Sequence, residues 1–441
     1  MDVVITAAAG PLQGRARVPG DKSLSHRAVL LAAMAEGTSR PTGVLDSADV
    51  RSTIGAVRAL GAEVRVLAEA KGGLDLEVQG WGPAGPLTPS DPIDCGNSGT
   101  TSRLLMGVLA GWPIEATLTG DASLSLRPMR RVMDPLSIMG ARFHSAEGGL
   151  LPVTVSGGAL SAREYRSPVA SAQAKSAVLL AGLRAPGTTT VIEPALSRDH
   201  TERLLPAFGV PVATGETDAG CWASVTGPAV LRAYDVAVPG DPSSAAFLLA
   251  AALLIAESDV IVANVCMNPT RIGFLNVLQR MGADIEVLDA AAIGAEPVGS
   301  LRARFTPALH ATIITPAEVP ALIDEIPILA LVATRAEGTT RFEGVGELRV
   351  KETDRLAAVA NGLGMLGATA RTGDDWLEIT GATPLVGTRL SSLGDHRLAM
   401  SWAVAGLAAD GETAIEEFEA VHVSFPGFLD VLAGLRTRQV P

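Results

Sequence analysis

One pattern recurs six times along this chain and restricts its fold more than any other feature. A helix-like segment ends on Gly and a strand-like segment resumes just beyond it. The copies are LGAEV ending at Val64, MGARF at Phe143, FGVPV at Val212, MGADI at Ile285, LGATA at Ala370 and a weaker AGLRT at Thr437. Their glycines, Gly61, Gly140, Gly209, Gly282, Gly367 and Gly434, lie about one sixth of the chain apart. Glycine just past a helix is the residue that adopts a left-handed cap without a Cβ clash. Self-similarity at such a period implies one supersecondary unit copied six times.

A second series interleaves with the first. Six Ala/Leu-rich helices should begin near Ser23, Ser98, Ala172, Pro242, Glu325 and His396, as in SHRAVLLAAMAEG and SSAAFLLAAALLIA. They are apolar on nearly every face, so each is expected to be enclosed by other elements. The Gly-ended helices, such as DVRSTIGAVRALG, are amphipathic and belong at the surface. Strand-like LDLEVQG, LPVTVSG, TTTVIEP, DVIVANV and WLEITG fill the gaps. Each unit therefore reads as strand, buried helix, strand, surface helix, then strands.

The six units fall into two halves. Val18-Pro19-Gly20-Asp21 recurs as Val238-Pro239-Gly240-Asp241, half a chain length later and again just before a buried helix. Pro-Gly is a natural turn. The expectation is an α/β protein of two similar domains with three units each. One spans 21–238; the other combines 1–20 with 239–441. Chance recurrence of a turn is the alternative, and the sixfold background opposes it.

Composition limits the functional classes. At 441 residues the chain exceeds a single ordinary core. With 47% hydrophobic and only 4% aromatic residues, its cores must be built from Ala, Leu, Val and Ile. The longest uncharged apolar run, 245–256, falls short of the ~20 residues that span a bilayer. Residues 1–14 lack the basic run and apolar stretch of a secretory signal. Three distant cysteines, Cys95, Cys221 and Cys266, fit a reducing compartment and offer no zinc site. A cytoplasmic location is expected. A net charge of −12 argues against nucleic-acid or acidic-membrane partners.

Within that acidic background the cations are placed oddly. Of 35 basic residues only Lys22, Lys71, Lys175 and Lys351 are lysine. Genome composition alone could favour arginine, but it does not explain where the cations fall. The buried helices start with Lys22-Ser23-Leu24-Ser25-His26-Arg27, Asn97-Ser98-Gly99-Thr100, Ser171-Ala172-Gln173, Asp324-Glu325 and Asp395-His396-Arg397. Ser, Asn and Asp there are ordinary N-caps. Lys22, Arg27 and Arg397 are not, because a cation opposes the helix dipole at that end. An anionic ligand on the free N–H groups resolves the conflict. The segments Gly120–Met129, Ser197–His200 and Arg349–Arg355 add further cations before surface helices, and Lys351 and Arg355 read as an i,i+4 pair with Glu352 beside them. A solvated first turn with local ion pairs is the plainer reading of that last segment. If the helix starts of both domains face each other, these charges converge on one cleft that takes small, multiply anionic phosphorylated substrates.

Other chemistry is unsupported. PGDKS is not a Walker A loop, and CGNSG lacks the spacing of a nucleophile elbow. No His or Cys pair has metal-ligand spacing.

The segments PGDKSLSHRAVLLAAMAEG, GNSGTTSR, GDASLSLRPM, SAQAKSAVLLAGL, SRDHTE, GDPSSAAF, IDEIPILA, ELRVKETDRL and DHRLAM resemble, in order and over essentially the whole chain, the 5-enolpyruvylshikimate-3-phosphate synthase family. GDPSSAAF and SRDHTE look like the bacterial subgroup that includes herbicide-tolerant members. The resemblance implies an inside-out α/β barrel fold of the enolpyruvyl transferase type, with three βαβαββ-type units per domain, helices inside and sheets outside. It implies transfer of the enolpyruvyl group of phosphoenolpyruvate to the 5-hydroxyl of shikimate 3-phosphate, with release of phosphate, on the way to chorismate and the aromatic amino acids. Together the two substrates bring about six negative charges.

By resemblance, shikimate 3-phosphate is held by Lys22, Ser23, Arg27, Ser171, Ala172, Gln173, Arg198, Asp324 and Lys351. Phosphoenolpyruvate is held by Lys22, Asn97, Gly99, Arg127, Gln173, Arg355 and Arg397. Asp324 is the expected base and Glu352 the expected acid, assisted by Lys22 and Lys351. The expected partners are these two small molecules alone, with no cofactor, no metal, no nucleic acid, no membrane and a monomeric chain. Two departures stand out. Val423-Ser424-Phe425-Pro426 lacks the Lys that relatives often carry there, leaving Arg349 or Arg103 as replacement, and Glu347 stands where many have Asn. Gly99 lies where tolerant relatives have Ala, which points to sensitivity to glyphosate. The rivals are a UDP-N-acetylglucosamine enolpyruvyl transferase, whose mobile-loop Cys is missing between Trp112 and Arg130, an RNA phosphate cyclase, which the −12 charge and missing nucleotide motifs oppose, and an inactive binding protein of the same fold.

Overall fold

The structure is a computed structural model that describes residues 1–70, 73–294 and 296–436. It divides into two compact units. The first comprises Gly20–Val238 with Ile293–Glu296; the second comprises Met1–Pro19, Pro239–Ala292 and the chain from Pro297 onward.

Twelve α-helices alternate between enclosed and outer positions among the described residues. In the first unit the enclosed helices are α1 (Lys22–Met34), α3 (Gly99–Ala110) and α5 (Ala172–Gly182). The outer ones are α2 (Ala48–Ala59), α4 (Arg130–Met139) and α6 (His200–Ala207). In the second unit α7 (Pro242–Leu254), α9 (Ile326–Ala333) and α11 (His396–Ala408) are enclosed. Around them lie α8 (Gly273–Arg280), α10 (Arg355–Met365) and α12 (Phe428–Arg436). Every residue of α7 and α9 is buried. The all-round apolar sequences thus go where no face meets water. In α1, α3 and α5 the half-exposed residues are confined to the start of each helix: Lys22 and Ser23, Thr100 and Arg103, Ala172 and Gln173. The enclosed helices of this unit open to solvent only at their N-terminal ends. That is where the polar chemistry sits.

The sheets repeat one order. Ile93–Asp94, Glu115–Thr119, Leu150–Ser156 and Arg142–Ala146 lie side by side, the first pair parallel and the rest antiparallel. Glu164–Arg166, Gly187–Glu193, Gly220–Gly227 and Val212–Thr217 do the same. In the second unit so do Ile313–Ile314, Thr339–Glu343, Trp376–Thr380 and Thr369–Thr372. Inner strands alternate buried and exposed residues, so each sheet turns one face to its helices. In the sixth copy Arg389–Ser391 pairs parallel with Glu412–Glu416, whose other neighbour is Val3–Thr6 from the start of the chain.

Five of the six repeat glycines take positive φ, between 85° and 119°. Gly434 does not: it lies inside α12, so it caps nothing, and the strand expected from Thr437 falls outside the described residues. No helix among the described residues is long and apolar enough to cross a membrane.

Candidate active site

In the first unit, Asp21 caps α1 by accepting from the Leu24 N–H at 2.8 Å, and no acid stands in the first turn. Lys22 reaches instead to Asp49 at the start of α2, at 2.6 Å. That pair offsets one of the two cations the sequence placed against the dipole of α1. Arg27, only 4% exposed, is held by neutral groups. Its Nε donates to Thr201 at 2.7 Å, Nη2 to Ser176 at 2.8 Å and Nη1 to the Ser23 carbonyl at 3.0 Å. Among the described residues Arg27 makes no ion pair, and three of the five N–H groups of a guanidinium are used. Burial pushes its guanidinium down to about 10; Glu202 and Asp21 oppose that shift and Arg198 adds to it. An anion on the remaining N–H groups would relieve the burial. His26, on the same helix, is pushed by burial down to about 3 and is held neutral against Thr53 at 2.7 Å. It is a packed side chain, not an acid or base for catalysis.

The start of α3 carries a second anion-friendly set. Ser98 caps the helix, and Asn97 just before it accepts from Arg127 Nη2 at 2.8 Å while donating to Asp121 at 2.7 Å. Asp121 also accepts from the Leu124 N–H at 2.8 Å. The two motifs GNSGTTSR and GDASLSLRPM are therefore tied together through Asn97. Gln173 accepts from Arg103 at 2.8 Å and donates to Thr100 at 3.1 Å, which adds α5 to the set. Ser171 caps α5 and Arg198 sits half-buried before α6. Lys22, Ser23, Arg27, Asn97, Gly99, Arg127, Ser171, Ala172, Gln173 and Arg198 all lie at or next to helix starts of this one unit.

The second unit assembles the rest. Asp324, in a short 3-10 turn ahead of α9, is 9% exposed. Its carboxylate faces Arg355 at 3.4 Å, Lys351 at 3.5 Å and Arg397 at 3.7 Å. Arg397 also donates to the Asp324 carbonyl at 3.1 Å and pairs with Glu325 at 3.5 Å. Arg355 is fully buried. It binds Asp395 at 2.6 Å, Asp324 and, through Nη2, Glu352. Burial works against its charge, but Asp395, Glu352 and Asp324 together raise its pKa above the ordinary arginine value. Asp395 in turn caps α11, accepting from the Arg397 N–H at 2.8 Å. Both carboxylates named for acid-base work thus share one buried guanidinium.

Two expectations need correction. Lys351 and Arg355 do not share a helical face: a 3-10 turn ends at Val350, residues 351–354 are irregular, and α10 begins at Arg355. The Asp354 side chain caps α10, accepting from the Ala357 N–H at 3.0 Å, and this sets the later start. The two cations meet at Asp324 instead. Arg349 is committed locally, to Asp354 at 2.7 Å and to the carbonyls of Gly373 and Asp374, whereas Arg103, the other replacement considered for the absent Lys near Val423, bonds Gln173 at 2.8 Å. The sequence reading also missed Asp49, Ser176, Thr201, Glu193 and Asp395 as partners of site cations and caps. Each lies far along the chain from the group it serves, and no local spacing marks them. The available signal was motif membership: Ser176 stands inside SAQAKSAVLLAGL, Thr201 inside SRDHTE and Asp395 inside DHRLAM.

Comparison with known proteins shows the family of the chain. The family model described as EPSP synthase (3-phosphoshikimate 1-carboxyvinyltransferase) matches residues 6–432. The 3-phosphoshikimate 1-carboxyvinyltransferase of Halorhodospira halophila is 49% identical over 97% of this chain and 95% of its own. That of Novosphingobium aromaticivorans is 48% identical over 96% and 97%. The structure of EPSP synthase from Acinetobacter baumannii superposes with a TM-score of 0.87 at 39% identity, covering 98% of each chain. The enolpyruvyl transferase NikO from Streptomyces tendae, at 21% identity and a TM-score of 0.75 over 98% and 97%, shares the fold. The chain belongs to the EPSP synthase family.

Proposed function

We infer that this chain transfers the enolpyruvyl group of phosphoenolpyruvate to the 5-hydroxyl of shikimate 3-phosphate and releases phosphate, as a step towards chorismate and the aromatic amino acids. The observation that carries the reading is Asp324. This carboxylate is ringed by Lys351, Arg355 and Arg397 in one unit, while the other unit lines helix starts with Lys22, Arg27, Arg127 and Gln173. Anion-binding helix ends and a poised carboxylate suit phosphorylated, carboxylated substrates with a hydroxyl to deprotonate.

In the proposed mechanism Asp324 takes the proton of the 5-hydroxyl as the oxygen attacks C2 of phosphoenolpyruvate. Glu352 delivers a proton to the methylene carbon, giving a tetrahedral adduct with a methyl group. Elimination reverses these roles: a proton leaves the methyl carbon as the C–O bond to phosphate breaks, restoring the double bond in the product. The step balances without a cofactor. Arg355 is shared by Glu352 and Asp395, so Asp395 can keep it in place while Glu352 exchanges its proton. Lys22, Ser23, Arg27, Ser171, Ala172, Gln173, Arg198, Asp324 and Lys351 are proposed to hold shikimate 3-phosphate. Lys22, Asn97, Gly99, Arg127, Gln173, Arg355 and Arg397 are proposed to hold phosphoenolpyruvate, and Arg103, bonded to Gln173, to stand in for the missing Lys. A cytoplasmic, monomeric enzyme is proposed as well; Cys95 and Cys221, which stand as thiols, support the reducing setting.

Phosphate release from phosphoenolpyruvate, followed with shikimate 3-phosphate and separately with UDP-N-acetylglucosamine as acceptor, tests the reading. Release should depend on the first acceptor and be absent with the second. Activity with the second alone would transfer the assignment to the other transferase, and no release with either would leave a binding protein.

A further inference from the structure

We propose that Glu193 is a positioning residue for the acceptor substrate, fixing the start of α5 and the loop that carries Arg198 through one buried carboxylate. The proposal rests on the functional reading above. Glu193 ends the strand Gly187–Glu193 and is 2% exposed. Its oxygens accept from the Ser171 N–H at 3.3 Å, the Ser197 N–H at 2.9 Å and the Ser197 hydroxyl at 2.7 Å. Lys175 Nζ donates to it at 2.6 Å. Ser171 caps α5 directly before Ala172 and Gln173, and Ser197 directly precedes Arg198. Two stretches proposed to hold shikimate 3-phosphate therefore hang on one side chain that stays out of solvent.

The same cluster extends to Arg27. Lys175 also pairs with Glu202 at 2.7 Å and donates to the Ser197 carbonyl at 3.2 Å. Lys175 and Ser176 are neighbours on α5, and Thr201 and Glu202 are neighbours on α6. Two links thus run side by side between these helices: the Lys175–Glu202 ion pair and the Ser176–Thr201 hydroxyl bond of 2.7 Å, which also receives Arg27. Glu202 favours the charge on Arg27 without occupying its fork, unlike the carboxylates that clasp Arg355. Two carboxylates and one ammonium, all more than nine-tenths buried, make an expensive device for stability alone, because apolar side chains of similar volume do as well or better. What the cluster does supply is fixed placement of Ser171, Arg198 and Arg27.

Steady-state kinetics of Glu193→Gln separate positioning from bulk structure. The variant keeps the shape but weakens the hold on Lys175 and Ser197, so the KM for shikimate 3-phosphate should rise about 10-fold or more. The KM for phosphoenolpyruvate, which shares only Gln173 with these stretches, should rise less than that for shikimate 3-phosphate, and kcat should stay within about threefold. Ser197→Ala guards against a Glu193→Gln protein that fails to fold. It leaves the Lys175–Glu193 pair intact and should raise the same KM about threefold with an unchanged melting temperature. An unmoved acceptor KM in Ser197→Ala, or both KM values rising together with a lost melting temperature, would overturn the role. Wild-type protein assayed alongside separates the two levels. A wild type that releases no phosphate with shikimate 3-phosphate sinks the functional reading and the positioning role with it. An active wild type with unmoved variants sinks the positioning role alone.

Discussion

Asp324 is approached by cations from two separate later segments, Lys351 and Arg355 in one and Arg397 in the other. Asp324→Asn preserves its shape, and Arg355 retains Asp395, so the local packing should survive. Turnover should fall by about 10²–10⁴, the usual worth of a general base, while calorimetric binding of shikimate 3-phosphate persists. Near-normal turnover would remove Asp324 from that role. Gly99 poses a different question. A Cβ there would lie 2.8 Å from Arg103 Nη1, the mobile end of a side chain that now bonds Gln173. Gly99→Ala should therefore displace Arg103, raise the KM for phosphoenolpyruvate several-fold and weaken inhibition by the longer glyphosate by about 10-fold or more relative to wild type. Equal inhibition of both proteins would contradict this. His26 sets a pH limit. Its folded pKa, about 3, lies below the 6.5 of an open imidazole, so the unfolded chain alone takes up a proton as pH falls. Stability is intact above 6.5 and declines between 6.5 and 3, by about 3 kcal/mol at pH 4 from this group. Urea midpoints of wild type and His26→Asn should diverge as pH drops through that window; parallel curves would show that His26 is not responsible. Motif membership made Lys22, Arg27, Asp324 and Arg397 legible in the sequence. The pairings were not, since Asp49 reaches Lys22, Glu193 reaches Lys175 and Asp395 reaches Arg355 only through tertiary packing.

Helices and strands followed the sequence closely because local and long-range demands agree. An enclosed helix must be apolar all round, and SSAAFLLAAALLIA has no other use. The same enclosure puts a premium on small residues where helices touch. A Cβ on Gly107 of α3 would fall 2.3 Å from the Ala177 carbonyl oxygen of α5, backbone that cannot step aside. Gly107→Ala should thus destabilise the protein by about 1–3 kcal/mol despite better helix propensity, and it should loosen the Arg103–Gln173 contact that these two helices carry. A denaturant midpoint at or above wild type would show that the helices can part without loss. Where the sequence reading slipped, a local competitor won. Capping by Asp354 delays α10 beyond the charged residues expected in its first turn, and Gly434 continues a helix instead of ending one. Neither outcome alters the spacing signal, which is why the period was right and the boundaries were not.

At the scale of the molecule, the repeat count and the pairing of enclosed with outer helices are legible in the sequence, whereas the completion of the sixth sheet by Val3–Thr6 is not. A strand borrowed from the opposite end of the chain leaves no periodic trace. The central proposal is also molecular: cations from both compact units act on a single acceptor. Calorimetric titration of shikimate 3-phosphate into wild type, Arg27→Ala, Lys351→Ala and the double variant tests it most directly. Each single change removes a charge-assisted contact and should weaken binding about 10-fold or more, with the double variant weaker than either. If Lys351→Ala binds the acceptor and turns over as wild type does, while Arg27→Ala alone is impaired, the two clusters do not serve one substrate.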